Sequence, residues 1–476
     1  MRLSWPGAVP LRLSIALILV SSACSVREAQ FTTGDGGATA GDGATAAPGS
    51  YRWVRSLSNM YPAGLAVGNA GVAVSGYFVV PMDLGGGMIL PTGSTDMALA
   101  SYATADAAFQ YAIHHGHANG TVYALGTVDA QGIPFVLGVS YGAMIDLGLG
   151  VVNGGGGVGA DGYIGRYGPS SPGWVQRLVG PGEDKIIVEA LTPDASLYAA
   201  GFFEDSTTWN GATVNGAGYR DVFLTRLNSF TGQVLLTTHY GAPGRDEASG
   251  IAATNTNVYV AGFFDDTLAF GGPTAPLVAT SATAPSLDCF VTKLDTNGVG
   301  IWAKQFGGPG IDRDPRLAID GDGDVYVGGA FSDAVAFGTT TLTSAGGSDI
   351  FVAKLNGRDG SVIWAISLGS TTDDSVSGIA VDKAGHVTIA GSLTGPIDGG
   401  TSDGGFDGLV ASFDAATGAP RWRHVYSGPG RDTTSTVTYG PDGDLYVVLS
   451  MSAVLDFGVP ILGPANPLGV VLRLAP

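Results

Sequence analysis

Three groups of residues have the types and spacing that chemistry uses. Asp320, Asp322 and Asp324 alternate with glycine in Asp320-Gly321-Asp322-Gly323-Asp324, a run of oxygen donors of the kind Ca²⁺ favours. No downstream glutamate closes such a loop, and the corresponding stretches Asp382-Lys383-Ala384-Gly385 and Pro441-Asp442-Gly443-Asp444 would not make equal sites. The run reads as a tight turn between two strands, with Ca²⁺ as the alternative and no other cofactor expected. His114, His115 and His117 are half of the six histidines, and paired histidines can hold Zn²⁺. No cysteine, and no acid within four residues, completes that set. Adjacent residues on a strand also point to opposite faces, so no metal is expected there.

The third group is a set of recurring aspartates. Asp184, Asp246, Asp312, Asp374 and Asp432 each follow a turn, and Asp96, Asp161, Asp221, Asp288, Asp349 and Asp407 form a second series. Active-site acids are usually a unique pair in contrasting surroundings. Equivalents in unit after unit point instead to carboxylates that tie down turns by accepting backbone N–H groups. A nucleophilic triad has no support, because no Gly-x-Ser-x-Gly elbow is visible. Gly154–Gly157 is a loop without Walker or dinucleotide context. Cys289 stands where a related strand has Ile350, a small filler. No catalytic residue is expected.

The elements that carry these residues follow from composition and spacing. Glycine accounts for 77 of 476 residues, charged residues for 13% and the hydrophobic set for 45%. This excludes a disordered acidic chain, a charge-rich coiled coil and a helical bundle, and favours short strands joined by tight turns. A net charge of −19 without a basic stripe excludes nucleic acid as a partner.

Beyond Ser50 one pattern recurs in units of about 60 residues with four strand-like runs. Its most regular strand appears at Ala73–Tyr77, Tyr123–Thr127, Tyr198–Phe202, Tyr259–Phe263, Tyr326–Ala330, Thr388–Ser392 and Tyr446–Ser450, seven copies. Trp174, Trp302, Trp364 and Trp422 each precede such a strand's Leu197, Val325, Val387 or Leu445 by 23 residues, and Leu235 stands in for tryptophan before Val258. The interval from a strand-opening aspartate to the next such strand is 36–38 residues from Asp161 onwards, but only 26 from Asp96 to Val122. That shortfall predicts a second unit with three strands or a distorted inner edge.

Four-stranded units that cannot bury both faces alone stack radially. The expected fold is all-β, a seven-bladed β-propeller of four-stranded antiparallel blades over 51–476. The body starts on Tyr51-Arg52-Trp53-Val54-Arg55, which matches the last strand of a unit, and ends on Gly469-Val470-Val471-Leu472-Arg473-Leu474, which matches the strand before it. The N-terminal strand is therefore expected to complete the C-terminal blade and close the ring, removing exposed edges.

These repeats resemble the seven-bladed beta-propeller repeat family of bacterial surface and secreted proteins. The motif Trp302-Ala303-Lys304-Gln305-Phe306-Gly307-Gly308-Pro309-Gly310-Ile311-Asp312 with Asp349-Ile350-Phe351-Val352-Ala353-Lys354-Leu355 carries the resemblance. The run Asp414 to Trp422 is similar to the tryptophan-docking motif of quinoprotein dehydrogenases. That similarity implies that Trp53, Trp174, Trp302, Trp364 and Trp422 pack against the adjacent blade. Quinoproteins add a charged cofactor pocket, a Ca²⁺ site and, in several groups, adjacent cysteines, and the last are absent here.

At the N-terminus an apolar run Leu13–Val20 lies behind Arg2 and Arg12 and ahead of Ser21-Ser22-Ala23-Cys24. The run is too short to span a bilayer and reads as a signal peptide over 1–23. Cys24 after Ser-Ser-Ala resembles a bacterial lipobox, which implies a lipidated Cys24; the position that usually holds leucine is Ser21. Residues 24–50, poor in large apolar groups, read as a flexible tether. Ser25, where inner-membrane retention would use Asp, implies by the same resemblance an outer-membrane or cell-surface address.

The expectation for function is a non-catalytic, exported, monomeric lipoprotein whose propeller binds or scaffolds an envelope protein or glycan and touches the membrane only through its anchor. The alternatives are a structural envelope component and a quinoprotein-like or lyase-type propeller enzyme. Gly271–Leu287, rich in Pro, Thr and Ala, departs furthest from the repeat and is expected to be a variable contact loop.

Overall fold

The computed structural model describes residues 47–476 apart from 70, 131–132, 143, 154–158, 170–171, 210, 281–285, 397–404, 453–456 and 458–467. The expected signal peptide, Cys24, most of the tether and the Gly154–Gly157 loop lie outside the described residues.

Every described element is a strand, and seven four-stranded antiparallel blades follow one another round a ring. Blade 4 is typical: inner strand Glu247–Ala253, second strand Asn257–Phe264, third strand Asp288–Asp295 and outer strand Gly300–Phe306, each paired with the next. The two middle strands are nearly continuous apolar runs because both their faces are covered by neighbouring blades. Packing is therefore between blades: one cluster joins Tyr259, Val291 and Trp302 of blade 4 to Val325, Phe331 and Phe351 of blade 5.

The ring closes as its two ends require. The outer strand of blade 7 is Tyr51–Ser58, antiparallel to the third strand Leu468–Leu474, with Val54 opposite Leu472 and Ser56 opposite Val470. Gly49 and Ser50 extend this join, the Gly49 N–H donating to the Ala475 carbonyl at 2.9 Å and the Ala475 N–H to that of Ser50 at 2.8 Å.

Blade 2 corrects the sequence expectation. It has four strands: Gly120–Ala130, Ile133–Gly142, Asp161–Tyr167 and Pro172–Val179. Tyr123–Thr127 belongs to its inner strand, and the regular repeat strand is the next one, where Gly138 takes the place of Gly201 and Gly262. At Gly138 a Cβ would lie 1.9 Å from the Tyr123 carbonyl oxygen, and at Gly201 and Gly262 it would meet the inner-strand carbonyls of Lys185 and Glu247 just as closely. Aligned on Gly138, Asp96 to Pro134 spans 38 residues, inside the spacing of the other units. In the sequence the inner strand passes for its neighbour because Tyr123 leads it, as tyrosine leads the second strands at Tyr198 and Tyr259, whereas the second strand of blade 2 has Phe135 at that place.

The tryptophans lock each blade to the next. The Nε1–H groups of Trp53, Trp174, Trp302 and Trp364 donate to the carbonyls of Thr104, Ser229, Gly357 and Ala415, each in the turn between third and outer strands of the following blade. A glycine in the left-handed region lies over the ring: Gly232 on Trp174, Gly360 on Trp302, Gly418 on Trp364 and Gly49 on Trp422. In blade 3 the position belongs to Leu236, opposite Arg226 as Trp302 is opposite Lys293, and Leu235 is exposed. The blade 4 inner hairpin is one residue shorter, which moved the sequence count by one.

The ring has two faces. The turns between inner and second strands and between third and outer strands make one, the turn face. The other carries the inter-blade loops and a small hairpin between second and third strands, as at Met82–Asp83 with Met88–Ile89 and at Met144–Asp146 with Val151–Asn153. Gly271–Leu287 belongs to this series. Its Leu277 is buried in the apolar cluster with Phe270 and Phe290, while Val278 is exposed.

Candidate functional site

The recurring aspartates all lie on the hairpin face, where one blade passes to the next. Asp184, Asp246, Asp312, Asp374 and Asp432 begin the junctions into inner strands, and their N–H groups donate to the carbonyls of Ala160, Arg220, Leu287, Ser348 and Phe406 at 2.6–2.9 Å. All five are fully or almost fully buried. Asp246 Oδ2 accepts from the Ala242 N–H at 3.0 Å and Asp432 Oδ1 from the Ser452 N–H at 2.9 Å. In the second series, Asp288 Oδ2 accepts from the Thr280 N–H and Asp349 Oδ2 from the Ala345 N–H, both at 2.8 Å.

The five junctions from blades 2 and 3 round to blades 6 and 7 thus bring two acids together, one from each series. Burial, and then the neighbouring carboxylate, pushes Asp184, Asp246 and Asp312 up to about 8, the neighbours being Asp161, Asp221 and Asp288. The junction between blades 1 and 2 has Val122 where these five have an acid, its N–H donating to the Thr95 carbonyl at 3.0 Å. There Asp96, although burial acts to raise it, is held down at about 2 by His114 and the Thr92 and Gly93 N–H groups.

The other sequence candidates separate. His114 Nδ1 is 3.7 Å from Asp96 Oδ2, His115 packs on the Tyr167 ring from the opposite side of the strand, and His117 Nδ1 accepts from the Asn119 N–H. Asp320–Asp324 is the inner hairpin of blade 5, on the turn face. Asp320 Oδ1 accepts from the N–H groups of Asp322 at 3.0 Å and Asp324 at 2.9 Å. Lys354 Nζ lies 3.4 Å from Asp320 Oδ2 and 3.1 Å from Asp324 Oδ2, so an ammonium occupies this side of the turn. Among the described residues no group of three or more His, Cys, Asp or Glu side chains is placed to hold a metal ion.

Two features were not anticipated. The first is an axial cavity of about 490 Å³ between the inner strands, whose lining includes Glu189 and Arg316. The second is a group of aliphatic side chains on the hairpins of blades 1 and 2, with Met88 67%, Leu90 62% and Leu149 59% exposed, and Val79, Met144 and Val151 close in sequence to them. The axial pair could have been found by aligning inner strands position by position. The hairpins could not, because short polar-interrupted segments carry little periodicity.

The fold and these junctions define the class: a seven-bladed β-propeller built from one repeat. Residues 301–330 match the family model described as Beta-propeller repeat (SBBP). The chain is 31% identical over 210 residues to the regulatory protein FlaEY of Caulobacter vibrioides, a match taking in 42% of this chain and 21% of that protein. The chain therefore spans about a fifth of the length of that relative. Among solved structures, quinohemoprotein alcohol dehydrogenase ADHIIG from Pseudomonas putida HK5 is 13% identical, with a TM-score of 0.41 and coverage of 86% of this chain and 66% of that one. A europium-containing methanol dehydrogenase is 12% identical, also at 0.41, covering 89% and 93% respectively. Similarity at this level carries nothing about activity.

Proposed function

We propose that this protein is an exported, Cys24-anchored binding propeller that docks an envelope protein through the hairpin face of blades 1 and 2. The observation that carries the reading is the concentration of exposed aliphatic groups on two neighbouring hairpins. Monomeric surfaces rarely leave such groups side by side unless something covers them. The occupant is a protein with an apolar surface: Met, Leu and Val offer neither the aromatic faces that stack on sugars nor the cations that nucleic acid needs, and the net charge of −19 opposes an anionic lipid surface.

The place where the described chain joins the ring supports this. The chain towards Cys24 leaves the ring at Gly49, beside Trp422 on the turn face. The apolar hairpins lie on the opposite face, away from the point of attachment. The recurrence of the junction aspartates in near-equivalent pairs favours a structural duty for them over catalysis.

A photo-crosslinking residue placed at Leu90 or Leu149 in the full chain, in living cells, is expected to give one discrete protein adduct, and at Thr341 in the blade 5 hairpin none. Equal labelling at all three positions, or none anywhere, contradicts the docking surface.

A further inference from the structure

The inner strands repeat so regularly that departures stand out. At one lining position four blades carry Gly64, Gly126, Gly250 or Gly378, and Val188 and Thr436 take it in two more; blade 5 carries Arg316. At the next position five blades carry Leu65, Ile251, Leu317, Ile379 or Val437, and blade 3 carries Glu189. One guanidinium and one carboxyl therefore enter the same axial cavity, each once only, and each replaces a residue that the repeat prefers.

Among the described residues neither group forms an ion pair, and each leaves a buried polar atom without a hydrogen bond. Arg316 makes, among the described residues, a single hydrogen bond, from Nη1 to the Ser249 carbonyl at 2.5 Å, and its Nε is buried without an acceptor there. Glu189 forms neither a hydrogen bond nor an ion pair with any described residue, and its Oε2 is buried without a donor. They do not pair with each other. Both side chains are half-buried on the cavity wall. A charge partly withdrawn from water with no opposite charge beside it is costly, and a repeat that breaks its own pattern at such a cost does so where function requires it.

We propose that the axial cavity binds a small zwitterion of the amino-acid class, its carboxylate on Arg316 and its ammonium on Glu189. A planar guanidinium receives a carboxylate through parallel N–H bonds, and a carboxylate on the cavity wall is the complementary group for an ammonium. Around them the lining is short and neutral, with hydroxyls from Ser377, Ser435 and Thr436 and aliphatic surface from Leu65 and Ile379. A cavity of about 490 Å³ lies within the range of small-molecule sites. Burial disfavours the charge on both side chains, raising the Glu189 carboxyl and lowering the Arg316 guanidinium. A ligand that brings both opposite charges relieves both.

The test is calorimetric titration of the full mature chain with the twenty free amino acids, then with N-acetyl and amide forms of the best binder. Saturable one-to-one binding is expected, weakened at least tenfold when either ligand charge is removed. Glu189→Ile and Arg316→Gly restore residues that other blades carry, so each is expected to keep or raise the thermal midpoint while abolishing binding. No binding by any amino acid, unchanged binding in both variants, or a collapse of stability in both overturns the proposal. None of these results depends on the apolar hairpins.

Discussion

At the scale of single residues, the junction aspartates couple stability to pH. A carboxyl that titrates near 8 when folded and near its ordinary 3.8 when unfolded holds its proton more tightly in the native chain. Its stabilising share is complete below about 3.8 and is lost as pH rises through about 8. Asp96 acts in the opposite sense, its share being lost only as pH falls towards about 2. With three such junctions against one, the thermal midpoint is expected to fall between pH 5 and pH 9. Asp312 faces Asp288 and Asp333, with Cys289 beside them. Asp312→Asn removes the cost of ionisation there, so the gap between variant and parent should be smallest below about pH 3.8 and widen in the variant's favour from pH 5 to pH 9. A parent whose midpoint rises across that interval contradicts the assignment. At the other end of the chain, metabolic labelling with a fatty-acid analogue is expected to mark the parent and not Cys24→Ala; undiminished labelling of the variant removes the anchor.

At the scale of elements, the blade contacts were the most legible part of the sequence, for a physical reason. A tryptophan that must reach the turn of the next blade, under a glycine that must take a left-handed backbone, fixes both residue types and their interval. The 23-residue spacing at Trp174, Trp302, Trp364 and Trp422 therefore survives to be read. The same logic failed in blade 2, where no first-series acid marks the junction, Val122 standing in its place beside Asp96, and an apolar inner strand imitates its neighbour. Glu189 and Arg316 were overlooked because single charges in a charge-poor chain form no motif; only the register of seven inner strands gives them a common place. Truncating Trp302, which is buried and hydrogen-bonded to Gly357, should lower unfolding free energy by about 3–5 kcal/mol. Gly360→Ala should also destabilise, since its φ is +73° and a Cβ would lie 2.8 Å from the Trp302 ring. Chemical denaturation of both variants checks this, and a Trp302→Ala loss below about 1 kcal/mol would show that the docking contact is incidental.

At the scale of the whole molecule, everything rests on closure. Seven like units share apolar faces all the way round only because the first described strand supplies the last blade's edge. The axial cavity and the opposition of tether and apolar hairpins exist only in that closed ring. Joining the ends covalently tests it most directly. In a Cys24→Ala background, cysteines at Ser56 and Val470, which stand opposite one another, are expected to form a disulfide in the native protein under mild oxidation. The bond should raise the thermal midpoint well above that of the reduced form, because it closes a loop of more than 400 residues. Two free thiols that stay unlinked in the folded chain, while the buried Cys289 remains unreactive, would contradict the closed ring.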